Sequence, residues 1–379
     1  MPNSVTTAIS LLREGSLVIV VDDCSESANG YFCAPAGTVS AAQVSAMVND
    51  GRGVICAALA DERYLELGLP MMAAAIDQHS PQFTVTVEAR HNVSTGISAA
   101  DRAETLRVLA RTKDPKRELV MPGHIFPVRA KKGGVLVQNT AAEAMIDLLD
   151  LAGLPAVAAF CHILNDDGDY ATEEELSALA ARNQLHLISV SDLVRYRMAG
   201  QRFVARVAEA KLPTKTAGEF RAIAFTSLID QTEHLALVRG DIGRASATPL
   251  SRPILARVQS ENRIGDLFGL DAFPQRQTLH GALQAIAREG EGVFVYIRHA
   301  QTQVLSDQIE AVANGVRTAP KTSQLRELGI GAQILKDLGV RKIRLLTNSK
   351  RQIPGLAVFD LEIVEQVGFP LPKLEGADA

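Results

Sequence analysis

The chain has no tryptophan, and aromatic residues fill only 4% of its 379 positions. A surface that stacks bases on successive rings is therefore not expected. No excess of positive charge makes up for it, since the net charge is −4 and the pI about 6.1. Nucleic acid and anionic membrane are excluded as partners recruited by bulk charge. No apolar run reaches the roughly 18 residues of a membrane span. The opening MPNSVTTAISLLREGSLVIVVDD has no basic region followed by an apolar stretch and a small-residue cleavage site. It reads as an amphipathic helix leading into a strand, not as a signal peptide. Cysteine is scarce: Cys24, Cys33, Cys56 and Cys161 follow no regular spacing, and the second half has none. Such thiols suit a reduced, cytoplasmic protein.

What remains is an ordinary globular composition, 47% hydrophobic and 22% charged, in a chain long enough for two cores. Residues 4–14 place Ala8, Leu11 and Leu12 on one helical face, with Gly15 as the stop. The β-branched run at 16–21 predicts a buried strand ending at Asp22-Asp23, and the turn formers of residues 24–35 a loop. A helix at 39–49, a strand at 53–59, a helical stretch through MMAAA and an alternating strand at 83–89 follow. Further on come a helix at 142–154, a strand at 155–164 and a strand passing into a helix at 185–197. Around 200–218 Pro, Thr, Lys and Gly interrupt the pattern and read as an interdomain connection. Beyond it lie strands at 220–225 and 234–242, a helix at 278–289, a strand at 292–298, a helix at 331–339 and a strand at 342–348. The class is α+β of an α/β type, with domains at 1–200 and 218–379 joined by a linker at 201–217.

Chemistry concentrates in residues 91–136. A Thr95-Gly96-Ile97-Ser98 turn runs into Asp101-Arg102, and a Pro122-Gly123-His124 turn leads into a basic, glycine-containing stretch. Small hydroxyls, backbone N–H groups, an arginine and a histidine are what a phosphorylated or carboxylated small molecule needs. Thr95, Ser98, Arg102 and Glu143 are candidate ligand-binding residues, with Asp101 orienting Arg102. His124, His162, Asp23 and Tyr31 are candidate acid–base groups. The competing structural reading gives Gly96 and Gly123 to backbone shape and Asp101 to a helix cap. Cys24, Cys33, Cys161, His124 and His162 lack metal-ligand spacing, so no metal residues are assigned.

The order of VVDD (20–23), RGVIC (52–56), STGISAADRA (94–103), PGHIFPVRA (122–130), GGVL (133–136), LAGL (151–154) and NDDG (165–168) resembles the 3,4-dihydroxy-2-butanone 4-phosphate synthase family of riboflavin biosynthesis. From about Gly218 to Phe369, GEFRAIAF, EHLALVRGDI, ARVQSE, GDLFG and LGVRKIRLLTN resemble GTP cyclohydrolase II, the usual fusion partner. The first resemblance implies a magnesium-dependent conversion of ribulose 5-phosphate, the second a zinc-dependent opening of the guanine ring, and both together a dimeric habit. The residues depart from both patterns. The family's acidic Arg-Glu-Asn-Glu-Gly-Asp loop reads Glu26, Ser27, Ala28, Asn29, Gly30, Tyr31. Its Gly-His-Thr-Glu-Ala reads Thr140, Ala141, Ala142, Glu143, Ala144, and its Cys-Glu reads Cys161-His162. The zinc cysteines fall at Asn262, Phe273 and Gln275, and the stretch holding the catalytic arginine reads Arg298 to Gln303. Gln324 to Leu328 and Asn348 to Gln352 are altered likewise, while Arg257, Ser260, Glu261 and Thr347 persist. The expectation is a divergent paralogue inactive in both reactions, with a binding, regulatory or scaffold role. It would form a homodimer or pair with an active paralogue, with no cofactor and no zinc. Two alternatives stand beside it: a repurposed metal-independent enzyme, and a surviving synthase that uses Mg²⁺ with Glu26 and Glu143.

Overall fold

The computed structural model describes residues 2–24, 28–73, 82–244, 249–268, 275–298, 309, 321–348 and 359–370. It divides into two compact units, Met1–Tyr196 and Arg197–Ala379. Glu26 and Ser27, residues 299–303, Phe273 and residues 349–352 lie outside the described residues, as do the side chains of Gln275 and of residues 321–326 and the last two residues of the MMAAA stretch, whose first three form a bridge and a bend instead of the predicted helix.

In the first unit α1 (Pro2–Arg13) buries Val5, Ala8 and Leu12 completely, and Gly15 at φ +76° turns the chain into β1 (Val18–Asp22). The turn formers predicted as a loop through residue 35 stop early. From Asn29 the chain returns as β2 (Asn29–Pro35), antiparallel to β1, with Val20 opposite Tyr31. Its buried Phe32, Cys33 and Ala34 outweigh the turn signal. There follow α2 (Ala41–Ala46), β3 (Arg52–Leu59), α3 (Asp61–Leu67), and the predicted 83–89 strand split into β4 (Gln82–Phe83) and β5 (Val87–Ala89). Next come α4 (Ala99–Arg111), α5 (Pro115–Glu118), β6 (Leu119–Arg129), α6 (Ala141–Ala152), β7 (Val157–Ile163), α7 (Glu173–Arg182), β8 (His186–Ser189) and α8 (Val190–Gly200). The strands form one mixed eight-stranded sheet of order β4-β6-β3-β7-β2-β1-β8, with β5 paired to β6.

Pro122, Gly123 and His124 are not the predicted turn; they lie inside β6. A Cβ on Gly123 would stand 2.2 Å from the Val87 carbonyl carbon, so glycine is what lets β5 approach there. The alternation of a pleated strand fixes the two faces of the sheet. Phe32, Ile55, Ala57, Ala159 and Cys161 share one core with Val44, Leu106 and Leu109 of α2 and α4. Tyr31, Phe160 and His162 therefore face the other way.

The second unit is a seven-stranded sheet of order β15-β14-β12-β13-β11-β10-β9. Its strands are β9 (Val204–Thr214), β10 (Gly218–Ser227), β11 (Glu233–Arg239), β12 (Ile254–Ser260), β13 (Gly292–Ile297), β14 (Lys342–Leu346) and β15 (Glu362–Val367). Among them run α9 (Arg263–Phe268), α10 (Gln275–Glu289) and α11 (Lys321–Asp337). Strands β9 to β11 and β13 pair antiparallel, whereas β13, β12, β14 and β15 pair parallel. The predicted linker is thus a strand. Residues 206–213 of β9 are exposed or nearly so, and an edge position tolerates Pro213, so the composition of a linker is also that of a solvated edge strand. Among the described residues, no helix is long and apolar enough to cross a membrane.

Candidate functional site

A cavity of about 400 Å³ opens on the α6 side of the first sheet. Strand alternation aims Asp22, Tyr31, Phe160 and His162 into it from β1, β2 and β7. The segment after β6 adds Lys131 and Gln138, and the start of α6 adds Thr140, Ala141 and Glu143. Tyr31 and His162 are register partners across β2 and β7, with ring centroids 4.6 Å apart. Burial pushes the Tyr31 phenol above its usual range, and the Asp22 carboxylate adds to the effect. Burial lowers His162, so its imidazole stays neutral near pH 7.

Of the residues predicted from sequence, the cavity gathers Tyr31, His162 and Glu143. Glu143 is 2% exposed and its carboxylate is engaged: it accepts from the Lys131 backbone N–H at 2.9 Å and from the Thr140 hydroxyl. Burial raises its pKa despite these bonds. The unfolded chain ionises near pH 4.5 and the folded one above it, so the contribution to stability is full below pH 4.5 and is lost as pH rises through the folded value. Glu143→Gln keeps the acceptor for Lys131 and removes the buried charge. Its stability relative to the parent is expected to grow between about pH 4 and about pH 8 in urea titrations; a difference independent of pH would refute the assignment.

The other predicted residues sit elsewhere. Asp23 accepts from the Ser191 N–H at 2.9 Å and from its hydroxyl at 2.5 Å, which anchors the start of α8. The 94–102 turn forms a separate surface cluster in which Thr95 and Ser98 are exposed. Ser98, not Asp101, caps α4, accepting from the Asp101 N–H at 3.1 Å. Asp101 does not orient Arg102: its carboxylate accepts from the Ser94 hydroxyl at 2.7 Å and the Gly96 N–H at 3.0 Å, bonds that hold its pKa down. Arg102 is half-buried on α4, near Cys161. His124 is exposed and its Nδ1 lies 2.7 Å from Glu88, whose carboxylate occupies the space a Cβ on Gly96 would fill. The thiols are no reserve of nucleophiles. Burial raises Cys24, Cys33 and Cys56 to about 12 and Cys161 to about 11.

Sequence reasoning missed Asp22, Lys131, Gln138 and Phe160 as cavity residues. The period of two along β1 and β7 was the available signal for Asp22 and Phe160. It also missed Asp147, which is buried and accepts from the Val135 N–H at 2.9 Å, tying down the Gly133-Gly134 turn.

Among the described residues the donor set does not fit a divalent ion. Ala141 lines the cavity where the resemblance puts a metal histidine, and Glu143 is committed to Lys131 and Thr140. Among the described residues no three His, Cys, Asp or Glu side chains converge as a ligand set would. In the second unit, Asn262 occupies a zinc-cysteine position and its side chain instead accepts from the Gly265 N–H at 2.8 Å, capping α9. Asp266 takes the Asn262 N–H and the Tyr296 hydroxyl, and Ser260 donates to Glu327. Arg257, its charge disfavoured by burial, donates to the Leu346 carbonyl. The persisting residues are thus bonded within the unit.

Comparison with known proteins agrees with this division. Residues 6–196 match the family model described as 3,4-dihydroxy-2-butanone 4-phosphate synthase, and residues 205–368 the one described as GTP cyclohydrolase II. The chain is 39% identical over 393 residues to riboflavin biosynthesis protein RibBA of Mycolicibacterium gilvum, covering 99% of this chain and 91% of that protein. It is 38% identical to RibBA of Bacillus cytotoxicus, covering 98% and 94%. Its fold superposes with a TM-score of 0.78 and 30% identity on RibBX of A. baumannii, a two-domain 3,4-dihydroxy-2-butanone 4-phosphate synthase, covering 96% of this chain and 98% of that one.

Proposed function

The chain belongs to the riboflavin-biosynthesis family that joins a 3,4-dihydroxy-2-butanone 4-phosphate synthase domain to a GTP cyclohydrolase II domain, and from that premise we propose that it binds a small molecule in the first domain and catalyses neither parent reaction. The observation that carries this is the cavity's donor set. A phenol, a neutral imidazole and two carboxylates, Asp22 and Glu143, each already accepting a backbone N–H, line it, with an alanine methyl where the resemblance puts a metal ligand. Such a wall can hold and orient a ligand, while both of its carboxylates are engaged by backbone N–H groups and no imidazole stands at the Ala141 position to complete a magnesium site. The second domain acts as a scaffold: its zinc positions have lost their sulfur, and without zinc no water is activated for attack on guanine. The role is then regulatory, exerted in the cytoplasm as a homodimer or by pairing with an active paralogue.

The full-length likeness to a two-domain synthase favours a second reading, in which formate release from ribulose 5-phosphate survives beside an inert second domain. Purified protein assayed with ribulose 5-phosphate and Mg²⁺, and separately with GTP and Zn²⁺, decides between the two. We expect no turnover above a no-enzyme blank in either assay. Formate at enzyme-like rates would replace the first reading with the second, and GTP ring opening would overturn the scaffold assignment.

A further inference from the structure

The first-domain cavity has an aromatic wall out of proportion to the chain. Three of its 14 lining residues, Tyr31, Phe83 and Phe160, are Phe or Tyr, where such residues make up 4% of the whole sequence. The His162 ring joins them: its centroid is 4.6 Å from that of Tyr31 and 6.3 Å from that of Phe160, and Tyr31 meets Phe160 edge-on at 6.2 Å. Tyr31 and His162 remain part-exposed, so the rings are not sealed into a core. With the imidazole neutral, the cations lining the cavity are Lys131 and Arg129, the latter paired with Asp61.

The cavity also contains a hydrogen-bond acceptor awaiting a donor. Gln138 lines it, and its side-chain oxygen is buried without a hydrogen-bond partner. A buried acceptor left unpaired costs stability unless something supplies an N–H or O–H. Lys131 offers a cation at the same segment.

Resting on the binding role proposed above, we infer that the ligand is a planar heteroaromatic compound with a ring N–H, of the purine or fused-ring imide kind, and not an open-chain sugar phosphate. The ring lies against Tyr31 and His162, its N–H donates to Gln138, and any phosphate or carboxylate on a side arm is directed to Lys131. An open-chain sugar phosphate gains little from four rings, whereas a π-face gains from each ring it stacks on. A volume of about 400 Å³ accommodates two or three fused rings.

The full-length protein is titrated with riboflavin, FMN and GMP, and with ribulose 5-phosphate as the open-chain control. Flavin fluorescence quenching and the shift in thermal midpoint are read. At least one ring-bearing probe is expected to bind, with flavin emission quenched where the flavin is the ligand. Tyr31→Leu and Gln138→Leu should each weaken that binding by about tenfold or more while the unliganded midpoint shows both variants folded. Stabilisation by ribulose 5-phosphate alone would sink this inference and leave the binding role standing. Ring binding that both variants retain would place the ligand elsewhere and also overturn it. If no probe binds, the inference and the binding role fall together.

Discussion

Gly134→Val should cost the first unit roughly 2–6 kcal/mol, the sum of two separate penalties. Gly134 has φ +63°, the left-handed region where a β-branched side chain is strained by about 1–3 kcal/mol. A Cβ there would also stand 1.9 Å from Asp147 Oδ1. The buried carboxylate would be driven off the Val135 N–H it now holds at 2.9 Å, and a buried unpaired donor costs about 1–3 kcal/mol more. The consequence reaches the cavity, because the segment tied down by Asp147 leads directly into Gln138 and Thr140. Guanidinium denaturation should show the loss as a lower midpoint for the transition of the first unit. Asp147→Asn retains an acceptor oxygen and should cost less. A valine variant within about 1 kcal/mol of the parent would mean the turn relaxes freely.

The second large effect is Phe32→Ala, expected to cost about 3–5 kcal/mol as a transfer loss plus a residual cavity. Phe32 is 0% exposed and packs into the core shared with α2 and α4. Tyr31, one residue earlier, faces the open cavity on the opposite side of the sheet. The pair makes the comparison informative: Tyr31→Leu should leave the denaturation midpoint nearly unchanged and affect ligand binding, whereas Phe32→Ala should collapse stability. Equal losses from both would contradict the assignment of faces.

Much of the fold was legible in the sequence, and the places where reading failed share a cause. α1, β1, β3, α6 and β7 announce themselves by period, and Gly15 and Gly153 stop their helices at positive φ, as a glycine after an amphipathic run should. β2, β6 and β9 were read as a loop, a turn and a linker because Asn29-Gly30, Pro122-Gly123 and Pro213-Thr214 are residue pairs common in irregular chain. They are strands because neighbouring strands supply hydrogen-bond partners and close approach, as Val87 does at Gly123. Local composition carries no information about such long-range pairing.

The candidate site divides in the same way. The amino-acid sequence by itself determined the family and the two-domain plan, and it set the expectation of missing metal ligands, because whether an alanine or an asparagine can supply a metal-binding imidazole or thiolate is a property of the side chain alone. Only the tertiary structure decided which of the remaining polar groups work together. The sheet's alternation put Tyr31, His162 and Glu143 around one cavity, spent Asp23 on α8, and left Thr95, Ser98 and His124 in a separate surface cluster. Convergence of side chains from distant strands depends on pairing and pleat, and those exist only once the chain has folded.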